Sequence, residues 1–331
     1  MKPFPGIGLS ALMLLMLIQM VPAQSTVEPR PGKPVIIPTR YLAHRFVATP
    51  TTVDNVTMTL FTDSAGGLFL YEDVAQRLKL SVVTLPEKEN GRELKVAALP
   101  AFKSSAGIPP PLGSPFEQRL FIIPRPAKAT SLDQRDGMLG QQWFADRVWT
   151  FDYPKQTLLW RAAGDLPPHD KSHEVKLAFK TAPSGKRQTN FARIQIEVDG
   201  ETLDFLLDTG ATNILSEEVL KQIDDGGPAE RGTSFLTRSV FERWHQKHPE
   251  WRALENIKTL TGAAMIEVPA VKIGGFTVGP VWFTVQPDLA FHTYMAQFMD
   301  KPTEGALGGS ALHYLRMTVD WPNAVAVFER P

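Results

Sequence analysis

The residues of this chain best suited to chemistry are Asp208-Thr209-Gly210-Ala211-Thr212, which close the apolar run Phe205-Leu206-Leu207. An apolar strand ending in Asp-Thr-Gly puts a carboxylate at the tip of a tight turn. The glycine lets backbone N–H groups approach that carboxylate, and the small hydroxyl can tie the turn down. A degraded copy, Asp63-Ser64-Ala65-Gly66-Gly67, lies 145 positions earlier. Two such turns, related by a repeat, can bring two carboxylates together. Carboxylates about 3 Å apart cannot both ionise readily, so the pair shares a proton. Such a pair can hold a water, deprotonate it as it attacks a peptide carbonyl, and donate to the carbonyl oxygen, with no metal, nucleophilic serine or cofactor.

The repeat extends beyond the turns. Aligned without gaps from Val53/Val198 to Leu78/Ile223, seven of 26 pairs are identical, where average composition gives roughly one or two. A second block follows in the same order. Gly137-Met138-Leu139-Gly140 matches Gly305-Ala306-Leu307-Gly308, and twelve residues after each final glycine stands Asp152-Tyr153-Pro154 or Asp320-Trp321-Pro322. Thr150 and Thr318 coincide as well. The chain reads as an internal duplication.

Short alternating strands are expected to position these turns. Ile194 to Val198, the Asp199-Gly200 turn and Thr202 to Phe205 carry a hairpin signature. Helices are expected after each Asp turn, at Tyr71 to Leu78 and Ser216 to Ile223, the second with Ser216 as N-cap. The pattern predicts an all-β chain, mostly β with short helices, in two lobes. Residues 1–23 read as a signal peptide, with Lys2, the apolar Leu12 to Met20 and a small-residue site at Ala23. The Pro-rich 24–38 is a linker, 39–160 the N-terminal lobe, 161–172 the inter-lobe connection and 173–331 the C-terminal lobe. The longer second interval suggests a helical insert at about 224–256.

Bulk composition narrows the function classes. With 35 basic and 35 acidic residues the formal net charge is zero, so no nucleic-acid footprint is expected. The absence of cysteine excludes a disulfide framework and a lipid-modified cysteine anchor. The leader implies a periplasmic or secreted protein, membrane-associated only if that segment is retained. Asp152 and Asp320 read as turn residues. His245 and His248 lack further ligands for zinc, and Asp224-Asp225-Gly226-Gly227 lacks the spacing of a calcium loop; no metal is expected. Gly308-Gly309-Ser310-Ala311 lacks the last glycine of a nucleophile elbow.

Leu206-Leu207-Asp208-Thr209-Gly210-Ala211, followed by Gly305-Ala306-Leu307-Gly308, resembles the aspartic proteases, especially the retroviral-like (retropepsin) type found in bacteria. Val271-Lys272-Ile273-Gly274-Gly275-Phe276-Thr277-Val278 resembles the strand and turn before the second motif in that group. The resemblance covers nearly all of lobe two and, through the repeat, most of lobe one, as in a pepsin-style chain built from retropepsin-like halves. It implies two acid-protease β-barrel lobes related by a pseudo-twofold axis, with a cleft between them. By it, Asp63 and Asp208 become the catalytic pair, braced by Ser64 and Thr209 within the loops 63–66 and 208–212. Gly137, Leu139, Gly140, Gly305, Leu307 and Gly308 become structural supports. Flap hairpins are implied at Asn90-Gly91 and Thr261-Gly262, against which an extended peptide or protein substrate would pair.

The implied activity is an aspartic endopeptidase acting as a monomer without cofactor. Two other readings use the same residues: a non-catalytic peptide-binding protein with a degraded first site, and a dimer of second lobes. Lobe one departs from the family in Ala65, where glycine is usual, and in Thr62 before the Asp. If position 65 needs φ > 0 or very close backbone approach, alanine strains the turn. Position 211 is alanine and position 66 glycine, so neither offers a hydroxyl to stabilise ionised carboxylate, and an activity optimum less acidic than that of gastric enzymes is expected.

Overall fold

The computed structural model describes residues 27–89, 92–127, 134–255, 257, 259, 262 and 264–331. The proposed leader and the flap candidates Asn90, Gly91 and Thr261 lie outside them. No helix among the described residues is long and apolar enough to cross a membrane.

Alternating strands assemble into three large sheets. An eight-stranded sheet carries Asp63 at the end of Leu60–Thr62, and a nine-stranded sheet carries Asp208 at the end of Glu201–Leu207. Between them a six-stranded sheet takes Val148–Asp152 and Thr157–Arg161 from the first half and Arg316–Asp320 and Val325–Glu329 from the second. Val148–Asp152 and Arg316–Asp320 pair antiparallel across the join, with Thr150 opposite Thr318. Their hydroxyls are hydrogen-bonded at 2.7 Å, and both residues are buried. The pseudo-twofold axis passes through this threonine pair. The chain thus has the all-β, two-lobed acid-protease architecture expected from its sequence.

Several local expectations are met for local reasons. Arg193–Val198 and Glu201–Leu207 form a hairpin with Val198 opposite Glu201, and its two loop residues, Asp199 and Gly200, both have positive φ, as a type I′ turn requires. Helices occupy Glu72–Arg77 and Glu217–Ile223, and the Ser216 hydroxyl accepts from Val219 N–H. Asp152 and Asp320 accept from the N–H groups of Lys155 and Asn323, three residues on.

The ungapped repeat fails beyond the Asp turns. In lobe one Leu70 lies opposite Gly137, whereas in lobe two Leu236 lies opposite Gly305. Tyr71 N–H donates to Asp136 O just as Thr237 N–H donates to Glu304 O. The helix Glu72–Arg77 therefore corresponds to Arg238–Lys247 rather than to Glu217–Ile223. Lobe two's surplus begins at Thr212 instead of about 224, and comprises the strands Thr212–Ile214 and Glu230–Gly232 with Glu217–Ile223 between them. Phe241 and Trp244 fall within the 224–256 range expected as an insert, but they are the buried face of Arg238–Lys247, the counterpart of lobe one's own helix.

Candidate active site

Each Asp is held at a strand end by its neighbour across a parallel pair. Leu60–Thr62 runs beside Gly137–Leu139, and Asp63 N–H donates to Leu139 O at 3.1 Å. Glu201–Leu207 runs beside Gly305–Leu307, and Asp208 N–H donates to Leu307 O at 2.9 Å. Leu139 and Leu307 are fully buried beneath the turns. The closing glycines fit because the backbone packs against them. A Cβ at Gly140 would lie 2.0 Å from Gly67 O, and one at Gly308 2.1 Å from Thr233 O.

The two turns grip one another. Ser64 N–H donates to Thr209 Oγ1 (3.1 Å), Thr209 N–H donates to Ser64 Oγ (3.0 Å), and Ser64 Oγ–H donates to Leu207 O (2.8 Å). Ser64 and Thr209 are each 1% exposed, so these bonds form away from competing water. Ala65 N–H donates to Asp63 Oδ1 at 2.8 Å and Gly210 N–H to Asp208 Oδ1 at 3.1 Å.

This framework places the Asp63 and Asp208 carboxyls within hydrogen-bonding contact of each other. Both residues are partly buried, and their carboxyls are walled by protein. Burial raises the ionisation of Asp63, against the N–H groups of Ala65 and Gly66 and the hydrogen bond to Asp208. Burial also raises Asp208 well above the ordinary carboxyl range, and the Asp63 charge and hydrogen bond add to the effect. A carboxyl raised in the folded state binds protons that the unfolded chain has released, so its contribution to stability falls as pH rises. Asp208→Asn is therefore expected to melt higher than the wild type at pH 7.5, and the advantage to vanish near pH 3.5. Thermal unfolding at the two pH values reads it; an equal or lower melting temperature at pH 7.5 would contradict the raised ionisation.

Ala65 is accommodated without the feared backbone strain, since it is absent from the residues with positive φ. Its side chain packs on a lobe-two cluster of Leu206, Phe291, Met299 and Ala306. Position 210 has no such freedom. A Cβ there would lie 2.3 Å from Asp63 Cγ and 2.6 Å from Asp63 Oδ2. Gly210→Ala is expected to lower kcat at least about 100-fold by pushing the carboxyls apart, whereas Ala65→Gly should stay within about threefold of wild type. Steady-state kinetics on the two variants check the asymmetry, and equal effects would refute it.

The remaining site candidates fall as follows. Gly66 and Gly67 line a cavity of about 580 Å³ that opens beside the Asp63 turn. Thr212 Oγ1 donates to Gly210 O (2.7 Å) and accepts from Arg45 Nη1 (3.0 Å). Ala211 is buried, and its N–H closes the turn onto Asp208 O at 3.3 Å. Gly262 N–H donates to the Thr259 hydroxyl at 2.9 Å, in the connection between Ala253–Glu255 and Ala264–Val268. That hairpin pairs with Val281–Gln286 as Arg92–Ala98 pairs with Arg119–Ile123. Val271–Ile273 and Phe276–Val278 form the expected strand–turn–strand.

Sequence reasoning missed four polar groups near the turns. Tyr153 is buried beside Tyr41 and Phe46. Burial first, then Tyr41 and the Asp208 charge, push its ionisation far above the usual phenol range, so it stays a neutral dipole near the pair. Arg45, Arg135 and Glu230 form an ion cluster between the lobes. An arginine in the otherwise apolar strand Arg45–Ala48 was the available signal.

No protein-family model matches this chain, and no curated protein matches it. Solved structures of similar fold include conglutin gamma, a basic 7S globulin from lupine seeds (12% identity, TM-score 0.49, covering 92% of this chain and 96% of that one). Others are an aspartic proteinase from Irpex lacteus (10%, 0.48, 89% and 96%) and Basic 7S globulin from soybean (10%, 0.44, 90% and 95%).

Proposed function

We propose that this protein is an exported aspartic peptidase, active as a single chain, whose two lobes arose by duplication of a retropepsin-like half. The observation that carries the reading is the reciprocal Ser64–Thr209 grip, which sets Asp63 and Asp208 in contact with both ionisations raised. Asp63 occupies the place that a second subunit's Asp would take in a dimer, which favours one complete site per chain.

In this reading the pair holds one shared proton between the two carboxyls; the steps run with it on Asp208 and with Asp63 ionised. A water between them gives its proton to Asp63 as its oxygen bonds to the peptide carbonyl carbon. Asp208 gives its proton to the carbonyl oxygen, so the tetrahedral intermediate forms as a neutral diol. Collapse then breaks the C–N bond, the proton held by Asp63 passes to the leaving nitrogen, and one diol proton returns to Asp208. The fixed turn N–H groups need no reorganisation during these steps. A peptide would bind extended across the cleft and meet the hairpins at its rim as an added strand. The purified protein should hydrolyse an unfolded polypeptide, with new termini found by mass spectrometry. Asp63→Asn and Asp208→Asn should each remove that activity. Activity that survives Asp63→Asn but not Asp208→Asn would point to dimerised second lobes instead.

A further inference from the structure

The surroundings of the paired Asp turns are unequal. On one side, Glu230 from lobe two's additional segment reaches two arginines of lobe one. Arg45 Nη1 donates to Glu230 Oε1 at 2.8 Å and Arg135 Nη2 to the same oxygen at 2.6 Å. Arg45 Nη2 also donates to Glu230 O at 3.2 Å. The guanidinium carbons of Arg135 and Arg45 stand 4.8 and 6.0 Å from the centre of the Phe61 ring. Phe61 is two residues before Asp63, about 7 Å back along the strand. Arg45 further ties to Thr212, whose hydroxyl holds Gly210 O. The cluster therefore spans from the Asp63 strand to the Asp208 turn. Just beyond it, Gly232 N–H donates to Ala43 O at 2.7 Å, and the His44 and His313 rings stack at 4.0 Å.

On the other side of the Asp63 turn the space is open. The cavity of about 580 Å³ is lined by Gln141, Gln142, Asn190, Phe191 and Tyr294, with no carboxylate or cationic side chain among the described residues that wall it. Gln142 Oε1 is buried there with no hydrogen-bond partner among the described residues.

We propose that the Arg45–Glu230–Arg135 clamp closes one side of the cleft to an extended chain, so that this peptidase trims about two residues at a time from one terminus of neutral peptides. The inference rests on the peptidase reading and narrows the endopeptidase expected from the sequence. Two arginines on one carboxylate make the closure hard to displace, because withdrawing Glu230 strands buried guanidinium groups. The charge-free cavity takes the longer part of the substrate, its carboxamides meeting the peptide backbone.

The test uses neutral peptides lengthened at one terminus at a time. Their binding to the Asp208→Asn protein is measured by calorimetry, and products of the wild type are mapped by mass spectrometry. Added residues should tighten binding about tenfold toward one terminus and change it less than about twofold beyond the second residue at the other. Wild-type products should be short fragments from that second terminus. Glu230→Ala, or Arg135→Ala/Glu230→Ala if the single variant unfolds, should restore length dependence at both termini and permit internal cleavage. Binding that strengthens with length at both termini of the wild-type cleft overturns the clamp, as does internal cleavage well away from both ends. Peptides that bind as described but are never hydrolysed overturn the peptidase reading alone; peptides that never bind overturn both.

Discussion

Asparagine at position 208 is expected to lower kcat at least about 1,000-fold while leaving KM within about threefold, and asparagine at position 63 to do the same. The amide is nearly isosteric with the carboxyl and can still accept the Gly210 N–H at Oδ1, so the turn should keep its shape. What it cannot do is share a proton with its partner. In Asp208→Asn no acid remains for the carbonyl oxygen, and in Asp63→Asn no base remains for the water. Positioned acid and base catalysis is worth roughly 10²- to 10⁴-fold for each group, and the two act on one water in one step. The double variant should therefore be scarcely worse than either single one. Kinetics on the three proteins decide this; additive losses would mean that the carboxyls work independently.

Ser64→Ala is expected to cost roughly 2–6 kcal/mol of stability and most of the activity. The hydroxyl accepts from Thr209 N–H and donates to Leu207 O, and its loss leaves both backbone groups buried and unpaired, at about 1–3 kcal/mol each. Those two bonds also join the turns, so the carboxyls lose their mutual registration as well. Ser64→Thr should recover most of both, since threonine is the residue lobe two uses at the matching position 209. Chemical denaturation with kcat measured in parallel separates these outcomes. A stability loss with undiminished kcat would show that the grip supports the fold without placing the chemistry.

The parts of the site legible in the sequence were those written locally. Asp-Thr-Gly after an apolar run, Asp199-Gly200 between alternating strands and the paired Gly-x-Leu-Gly blocks each encode a backbone geometry within a few residues. The coincidence of Thr150 with Thr318 even marked the residues on the pseudo-twofold axis. The register beyond the Asp turns was not legible. The ungapped repeat sets Glu217–Ile223 against Glu72 to Leu78, yet only strand pairing with Gly137–Leu139 or Gly305–Leu307 decides which helix corresponds to which. Nor was the clamp legible. Arg45 and Glu230 are separated by 185 positions, and Glu230 lies in a segment that the first lobe lacks. The concern over Ala65 arose from residue type alone. The structure places the demand for glycine at Gly210, where Asp63 leaves no room for a Cβ.

The pH dependence of kcat/KM for the wild type bears most directly on a shared proton between Asp63 and Asp208. Both ionisations are raised by burial, and Asp208 further by its partner's charge. The singly protonated pair should therefore persist well above the ordinary carboxyl range, near 4, giving a bell whose alkaline limb is displaced upward and an optimum less acidic than pH 2–3. A profile that peaks near pH 2, or one that continues to climb through pH 9, would contradict the shared-proton site.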